Sequence, residues 1–181
     1  MATTTGLLSW EAFEQFPDDG MHHELIEGEV QVLPPPKSTH SRIAKRIFLE
    51  LLSAESNAAG EALFEAGFKL STNPASWIQP DVSFVLNEQL NSTGENNYFL
   101  GSPALAVEVV SPSETARDLQ RKIDLLLANG SLAVWVIYPE TQVVKVNLPD
   151  GTTHTRGMND TLALPALLPD WQLPVAKLFE E

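Results

Sequence analysis

Hydrophobic and polar positions follow two different periods along this chain, and together they predict a mixed α/β fold. The runs 104–110 and 132–138 are short, densely apolar and bounded by Gly, Ser or Pro, which is typical of buried strands. Between them, Leu119, Ile123 and Leu126 recur at helical spacing. A strand, a helix and a second strand in this order form a crossover unit, so we predict that the two strands are parallel neighbours.

The N-terminal third predicts a helix, a hairpin and a longer helix. Ser9 is placed to cap a short amphipathic helix, and strands 22–26 and 29–33 flank a two-residue turn, Glu27-Gly28. Ser38 is predicted to cap a helix that runs to about Ala59.

The remaining segments predict further strands around the crossover unit. Turn residues and apolar stretches predict strands, loops and a C-terminal tail. The helix of the crossover unit is expected to start at 112–113 and to stop at Asn129-Gly130. We therefore expect one α/β domain over 1–181, a mixed central sheet flanked by helices. The predicted strands are 63–70, 81–86 and 141–148, the loops are 73–77 and 87–102, and the tail, 162–179, is expected to be irregular cover with a short last helix.

Charge and composition limit the classes of function. The net charge is −13, from 24 acidic and 11 basic residues, which disfavours nucleic-acid binding because such proteins usually carry basic fields. The basic residues are concentrated in windows 37–46 and 117–122, so two helix faces could be locally positive, although solvated helix faces are the commoner explanation. The chain has no cysteine, no window of membrane-spanning length and no secretory signal pattern, so we expect a cytoplasmic protein without a membrane partner.

Three acidic residues occupy strand positions: Glu24, Asp81 and Glu108. Glu108 lies in the middle of a buried strand, where an unpaired carboxylate is too costly to be incidental. If their strands are neighbours, Asp81 and Glu108 meet at one end of the sheet, where oxygen ligands suit Mg²⁺ or Mn²⁺. Two carboxylates so close repel each other unless they share a cation or a proton, so a bound metal would account for the pair.

Lys122 is the next candidate for this site. At about 100° per residue, it falls at the edge of the apolar stripe of its helix, whereas Arg121 points towards solvent. A lysine at such a rim can reach over the end of the sheet and orient a water or neutralise a phosphate. The alternative is an ordinary surface lysine with its stem packed on the helix.

The order of these residues resembles a known group of nucleases. Pro80-Asp81 followed by Glu108-Val109-Val110 is similar to the PD-(D/E)XK superfamily, with Val110 at the position where the superfamily has its lysine. The likeness covers residues 10–179 and extends to one bacterial family of predicted restriction endonucleases, long known as a domain of unknown function. The motifs that carry it are 23–29, His40, 80–82, 107–113, Lys122 and 135–139.

The resemblance implies a restriction-endonuclease-like fold and a Mg²⁺- or Mn²⁺-dependent endodeoxyribonuclease. Asp81, Glu108 and the backbone carbonyl of Val109 would hold the metal, and Lys122 would be the catalytic lysine. Glu24 would complete the acidic cluster, either as a metal ligand through water or by orienting Lys122.

Contacts with the substrate are less defined by the resemblance. His40 would contact phosphate or assist a water, and a structural role as a helix cap is equally open. Arg42, Lys45 and Arg46 are predicted to contact the phosphate backbone of DNA. Cutting both strands of a duplex favours a homodimer. Two alternatives remain: an inactive member of the fold that serves binding or assembly, and a nuclease acting on RNA or on branched DNA.

Overall fold

A computed structural model of the protein describes residues 6–17, 19–55, 60–91, 98–112 and 114–180. Helices lie at the flanks of the strands, and each of the two long ones buries an apolar stripe at a spacing of three to four residues. The helices are α1, Trp10–Glu14; α2, Ser38–Ala54; α3, Asn87–Leu90; α4, Ala116–Ala128; and a 3₁₀ helix, Val175–Phe179. No helix in these described ranges is long and apolar enough to cross a membrane.

The strands form two larger sheets and a separate hairpin. They are β1, His22–Ile26; β2, Glu29–Leu33; β3, Gly60–Phe64; β4, Phe68–Thr72; β5, Ala75–Ile78; β6, Val82–Leu86; β7, Phe99–Leu100; β8, Leu105–Val109; β9, Ala133–Tyr138; β10, Val143–Asn147; β11, Thr153–Arg156; β12, Thr161–Leu164; and β13, Leu168–Pro174. The six-stranded sheet has the order β11-β10-β9-β8-β6-β3, the five-stranded sheet has the order β2-β1-β5-β4-β7, and β12 pairs with β13.

The predicted crossover unit is confirmed. Strands β8 and β9 are parallel neighbours in the middle of the six-stranded sheet, with Leu105 opposite Ala133 and Val109 opposite Ile137. Helix α4 joins them, and all five residues of β8 are buried. The mixed α/β class predicted from the sequence is therefore confirmed.

Alternation along β8 decides which side chain faces which layer. Leu105, Val107 and Val109 belong to the core formed with α2 and the β12-β13 hairpin. Ala106 belongs to the other core, which includes apolar residues of α4 and of the five-stranded sheet. Because successive strand residues point to opposite faces, Glu108 lies on the side of Ala106, under α4. The pleat of one strand therefore directs this carboxylate into the space between α4 and the five-stranded sheet.

Several predicted strands and loops differ from the structure. The predicted strand 63–70 is two strands, β3 and β4, because the chain turns at Glu65, which has φ +50°. The predicted loop 73–77 contains most of β5, in which Trp77 pairs with Leu25 of β1. The predicted loop 87–102 contains α3 and β7, and the tail forms the β12-β13 hairpin before its short last helix. Short strands in polar surroundings give too little alternation to be recognised.

The ends of α2 and α4 also differ in part from the prediction. The N-cap of α2 is Lys37, not Ser38, and it makes no side-chain capping hydrogen bond. The predicted end at Ala59 lies outside the described residues. Helix α4 begins at Ala116, later than predicted, because Thr115 Oγ1 accepts a hydrogen bond from Asp118 N and caps it there. Its predicted stop is confirmed, since Asn129 is the C-cap and Gly130 has φ +116°.

Candidate active site

Lys122 lies in the interior, where it contacts two glutamates. Its Nζ donates a hydrogen bond to Glu108 Oε2 at 2.9 Å and lies 3.2 Å from Glu24 Oε2. Only 2% of Lys122 is exposed, so the expectation of a lysine at the rim of the buried face is wrong, and so is the alternative of an ordinary surface lysine. Lys122 has the predicted angle on α4, but the five-stranded sheet covers that side of the helix, and Glu24 on its strand β1 faces the ammonium group.

Glu24 connects three parts of the chain around this lysine. It is fully buried in β1, and its Oε1 accepts a hydrogen bond from Gln79 N at 3.0 Å. Its other oxygen faces Lys122 Nζ. This geometry favours the orienting role for Glu24 over the role of a water-mediated metal ligand, because both of its oxygens are directed at protein groups.

Asp81 lies at the end of the same sheet. It directly precedes β6, whose antiparallel register with β8 pairs Val82 with Val107. Continuing that register places Asp81 opposite Glu108, and opposite residues of an antiparallel pair point to the same face. Asp81 Oδ2 accepts a hydrogen bond from Val109 N at 2.7 Å. The structure therefore brings Asp81, Glu108 and the Val109 backbone together.

These groups line one cavity of about 370 Å³. Asp81, Glu108, Val109 and Lys122 contribute to its wall, together with His40 from the first turn of α2. The buried Lys122 thus lies on the wall of a cavity that is large enough for a small ligand or a phosphate group. The cavity is the place where the predicted catalytic groups could meet a substrate.

His40 contacts Asp81 instead of capping its helix. Its Nε2 lies 3.1 Å from Asp81 Oδ2, and its side chain is 16% exposed. Burial lowers the pKa of His40, but the hydrogen bond and charge of Asp81, together with a hydrogen bond to the Val109 backbone, outweigh burial and raise it. The cap alternative is therefore wrong, and His40 contacts Asp81 and Val109, two of the three residues that are predicted to hold the metal.

The pKa values of Lys122 and Glu108 are both raised, but for different physical reasons. Burial disfavours the charged form of Lys122, but the surrounding carboxylates, Glu108 first, outweigh it and raise the pKa of Lys122 well above its ordinary value. Burial raises the pKa of Glu108 well above its usual range, against the attraction of Lys122, and the nearby Asp81 and Glu24 raise it further. The lysine is consequently a fixed positive charge. A second cation near Glu108 would further stabilise the ionised form of its carboxylate.

A divalent ion fits the chemistry of these donors. Within the described ranges, Glu108 Oε1 is buried and has no hydrogen-bond partner. Continuing the β6–β8 register places Val109 opposite Pro80, which has no N–H, so His40 is the group that contacts the Val109 backbone there. No group of three or more His, Asp or Glu side chains in the described part of the chain has the arrangement of a metal site. A metal here would therefore depend on Asp81, Glu108 and the Val109 carbonyl, oxygen donors that suit Mg²⁺ or Mn²⁺.

Glu114 and Gln79 are among the residues of the cavity that were not predicted from the sequence. Glu114 lies on its wall, and burial raises the pKa of Glu114, opposed by Lys122. It was counted as part of the following helix, which in fact starts after it. Gln79 also lines the cavity and is bound to Glu24 through its backbone. Its position two residues before Asp81 was the available signal.

The predicted basic residues divide into two kinds. Arg42 and Lys45 are exposed on α2. Arg46 is half-buried, and its Nη1 donates a hydrogen bond to the Leu178 carbonyl at 3.0 Å, so its guanidinium has a partner within the chain. Arg121, expected in solvent, is ion-paired: its Nη1 lies 2.6 Å from Glu29 Oε2 and its Nη2 lies 3.0 Å from Glu27 Oε2.

Comparison with known proteins assigns this arrangement to a family. A family model described as "Putative restriction endonuclease", named Uma2, matches residues 10–176. The chain belongs to the Uma2 family. The resemblance seen in the sequence is thereby confirmed, and the nuclease class is the one to which Uma2 proteins are assigned.

Solved structures support the fold of this Uma2 chain. Five chains match it, and one is the crystal structure of "a putative nuclease belonging to DUF820" from Anabaena variabilis ATCC 29413. The TM-score is 0.85, with 23% sequence identity over 95% of this chain and 97% of the other. The restriction-endonuclease-like fold is thus confirmed. No curated protein matches the chain.

Proposed function

We propose that this Uma2 protein is a Mg²⁺- or Mn²⁺-dependent endonuclease that hydrolyses phosphodiester bonds in DNA. The observation that carries the proposal is a buried lysine held between two glutamates beside Asp81, on the wall of one cavity. Burying an ammonium group and several carboxylates costs several kcal/mol per ion before pairing, which a purely structural site could avoid with apolar residues. A site that retains these charges is better explained by chemistry.

Asp81, Glu108 and the Val109 carbonyl would hold the ion in this proposal. Its chemistry in phosphodiester hydrolysis is to polarise the phosphoryl oxygen, to acidify a water and to stabilise the leaving alkoxide. Glu108 Oε1, which is buried and has no hydrogen-bond partner among the described residues, would be one of the metal ligands.

Lys122 would act as a fixed charge. Because the pKa of Lys122 is raised, its amine keeps its proton at neutral pH and cannot serve as a general base. It would instead donate hydrogen bonds to the phosphate and stabilise the negative charge that develops on the phosphate in the transition state. Glu24 would hold the amine in place through Oε2, while its Oε1 remains fixed by Gln79 N.

Glu114 is the group we propose as proton acceptor. It lines the cavity, and burial raises the pKa of Glu114 above that of a free glutamate. A carboxylate with a higher pKa is a stronger base at neutral pH, provided that it stays ionised. His40, whose Nε2 lies 3.1 Å from Asp81 Oδ2, would orient the Asp81 carboxylate.

Substrate contact and assembly complete the proposal. Arg42 and Lys45, exposed on α2, would contact DNA phosphates, with Arg46 restricted by its bond to Leu178.

We also propose a homodimer, since two copies related by a two-fold axis would place one cavity on each strand. Light scattering coupled to gel filtration would test the dimer, and a monomer at working concentrations would contradict it.

The direct test of the proposal is metal-dependent cleavage. Supercoiled plasmid and labelled oligonucleotides, incubated at low salt with Mg²⁺, Mn²⁺ or EDTA, should be cut only when a divalent ion is present. Asp81→Asn should lose the cleavage and keep the melting temperature within a few degrees. RNA and branched DNA should be run beside duplex DNA: selective cutting of RNA would replace the DNA assignment, and selective cutting of branched DNA would replace the duplex as the substrate.

A second candidate function is binding or assembly without catalysis. Two observations favour it: the net charge of −13 and the lack, within the described residues, of a three-residue His, Asp or Glu metal group. Calorimetric titration with Mn²⁺ separates the two functions. Heat of binding that disappears in Asp81→Asn supports the nuclease, and no binding by the unaltered protein supports the alternative.

A further inference from the structure

A second concavity lies beside the cavity lined by Asp81 and Glu108, which we call the acidic cavity, and aromatic rings line this second concavity. It has a volume of about 640 Å³. Its wall includes the rings of Phe13, Phe16, Trp77 and Tyr98, and we call it the aromatic groove. Phe13 and Phe16 are stacked at 6.3 Å between centroids, and Phe13 lies 5.7 Å from Trp77. The groove is therefore a connected set of ring surfaces.

The aromatic groove is continuous with the candidate active site. His22 and Gln79 line both the groove and the acidic cavity. His22 and Glu24 are two residues apart on β1 and point to the same face of the strand. Gln79 is bound through its backbone to Glu24 and precedes Asp81 by two residues. A ligand that spans the two concavities would thus place one part on the rings and another near the carboxylates.

Unused hydrogen-bonding groups accompany the rings. In the described part of the chain, His22 Nε2 and Trp77 Nε1 are buried and have no hydrogen-bond partner. Binding sites for flat, polar molecules combine aromatic surface with a few such groups, which fix the orientation of the ligand. A nucleobase has this character, with two π-faces and a polar edge.

The charge of the protein favours stacking over phosphate contact. With a net charge of −13, the body of the protein repels a polyanion, and backbone contacts alone would give weak binding. Stacking on aromatic rings needs no positive field, but it requires a base that is not already stacked in a duplex. Paired bases do not expose their faces, so such a base must be single-stranded or turned out of the helix.

We propose that the aromatic groove binds one unpaired nucleobase next to the phosphate held in the acidic cavity. This proposal rests on the proposed function and narrows it to a substrate class: DNA that is single-stranded or locally unpaired at the cut. Intact duplex, in which no base is free, would bind more weakly than either. In this proposal the groove positions the DNA strand, and the residues of the acidic cavity hydrolyse its phosphodiester bond.

An abasic scan tests the proposal in the full-length protein. A fluorescein-labelled single-stranded oligonucleotide is compared with a set in which each base in turn is removed, and binding is followed by anisotropy at low salt in EDTA. Since loss of the bound base removes one base–aromatic stack, it should weaken binding about tenfold at one position. Matched duplexes with and without a central mismatch distinguish a turned-out base from a single strand.

Phe16 is the residue to vary, because it lies in the groove but outside the cluster that packs Phe13, Trp77 and Tyr98 against Trp10 and Leu25. Phe16→Ala should weaken binding of the intact oligonucleotide about tenfold and flatten the abasic scan, and Phe16→Tyr should restore both. Phe64→Ala is the matched control, since Phe64 is an exposed phenylalanine on β3 that does not line the groove.

The outcomes separate this proposal from the proposed function. A single sensitive position that vanishes in Phe16→Ala supports the groove, even if no divalent ion ever produces cleavage. Cleavage with a flat scan, or equal binding of matched duplex and single strand, overturns the groove and leaves the nuclease standing. Failure to bind any of the oligonucleotides overturns the groove as well.

Discussion

Two neighbouring residues of α4 make similar ion pairs in opposite surroundings. Lys122 faces Glu24 and Glu108 in the interior, with 3% of its side chain exposed. Arg121 faces Glu27 and Glu29 at the surface, where those carboxylates are about half exposed. Both residues connect α4 to the β1-β2 hairpin, Lys122 through Glu24 and Arg121 through Glu27 and Glu29. Solvent is the main difference between them.

That difference decides what each pair can do. Water screens the Arg121 pairs, so they can help to seat the hairpin but hold little electrostatic energy. The Lys122 cluster has no such screening, so its charges strongly perturb one another, as the raised pKa values of Lys122 and Glu108 indicate. Reactive chemistry is therefore expected at the buried pair and mechanical support at the exposed one.

The largest effect is expected from Glu108→Gln. The amide keeps the shape of the side chain but cannot supply a charged oxygen to a metal, so divalent-dependent cleavage should fall about 10³-fold or more. Glutamine removes one partner of Lys122 but leaves Glu24 facing the ammonium group, so the loss of folding stability should be smaller than that caused by removing the lysine. Initial rates on plasmid DNA with Mn²⁺, paired with urea unfolding, measure both. Retained cleavage would remove Glu108 from the mechanism.

Lys122→Met should be the most destabilising of these single changes. It leaves Glu24 and Glu108 buried without their cation, and breaking a buried pair in this way costs about 3–5 kcal/mol. Urea denaturation gives the free energy of unfolding. Adding Glu108→Gln should recover part of the loss, about 0.5–3 kcal/mol, because the two residues are in contact. Strict additivity of the two changes would argue against a coupled cluster.

Arg121→Gln is the matched change one residue away. Exposed ion pairs contribute about 0.2–1 kcal/mol, so the free energy of unfolding should fall by no more than about 1 kcal/mol. High salt should shrink the difference from the unaltered protein, whereas the effect of Lys122→Met should persist in salt. A loss for Arg121→Gln as large as that for Lys122→Met would break the distinction between the two pairs.

The smallest expected effect is a pH-dependent gain from Glu114→Gln. Burial raises the pKa of Glu114, so folding favours its protonated form, and that contribution is lost as pH rises through the folded-state pKa. Glutamine has no such loss, so the variant should be more stable than the unaltered protein at pH 8, with a smaller difference at pH 5.5. Urea midpoints at both pH values measure this, with Glu61→Gln as the control, since Glu61 is an exposed residue of β3. A difference that does not vary with pH would contradict the raised pKa.

The buried strands and the motif residues were predictable from the sequence. Dense apolar runs gave β8, α4 and β9 with their parallel order, because long stretches of one period have few competing explanations. The motif residues Asp81 and Glu108 then followed from their positions on neighbouring strands. Their convergence required only the register between β6 and β8.

The depth and the partners of the site were not predictable in the same way. Lys122 was placed at a rim because its own helix offers no information about the sheet that covers it. The contact of His40 with Asp81 joins residues 41 positions apart, and β5, which carries Trp77 into the aromatic groove, is too short for a strong pattern. Contacts of this kind depend on how distant elements pack, which local periodicity does not encode.

The central claim is that Asp81 and Glu108 hold one divalent ion beneath the Lys122 ammonium group. A crystal soaked in Mn²⁺ and measured near the manganese absorption edge tests it most directly. We predict a single anomalous peak within about 2–2.5 Å of oxygens from Asp81, Glu108 and the Val109 carbonyl. Full soaking with no peak between these residues, or with a peak elsewhere on the acidic surface, would contradict the account.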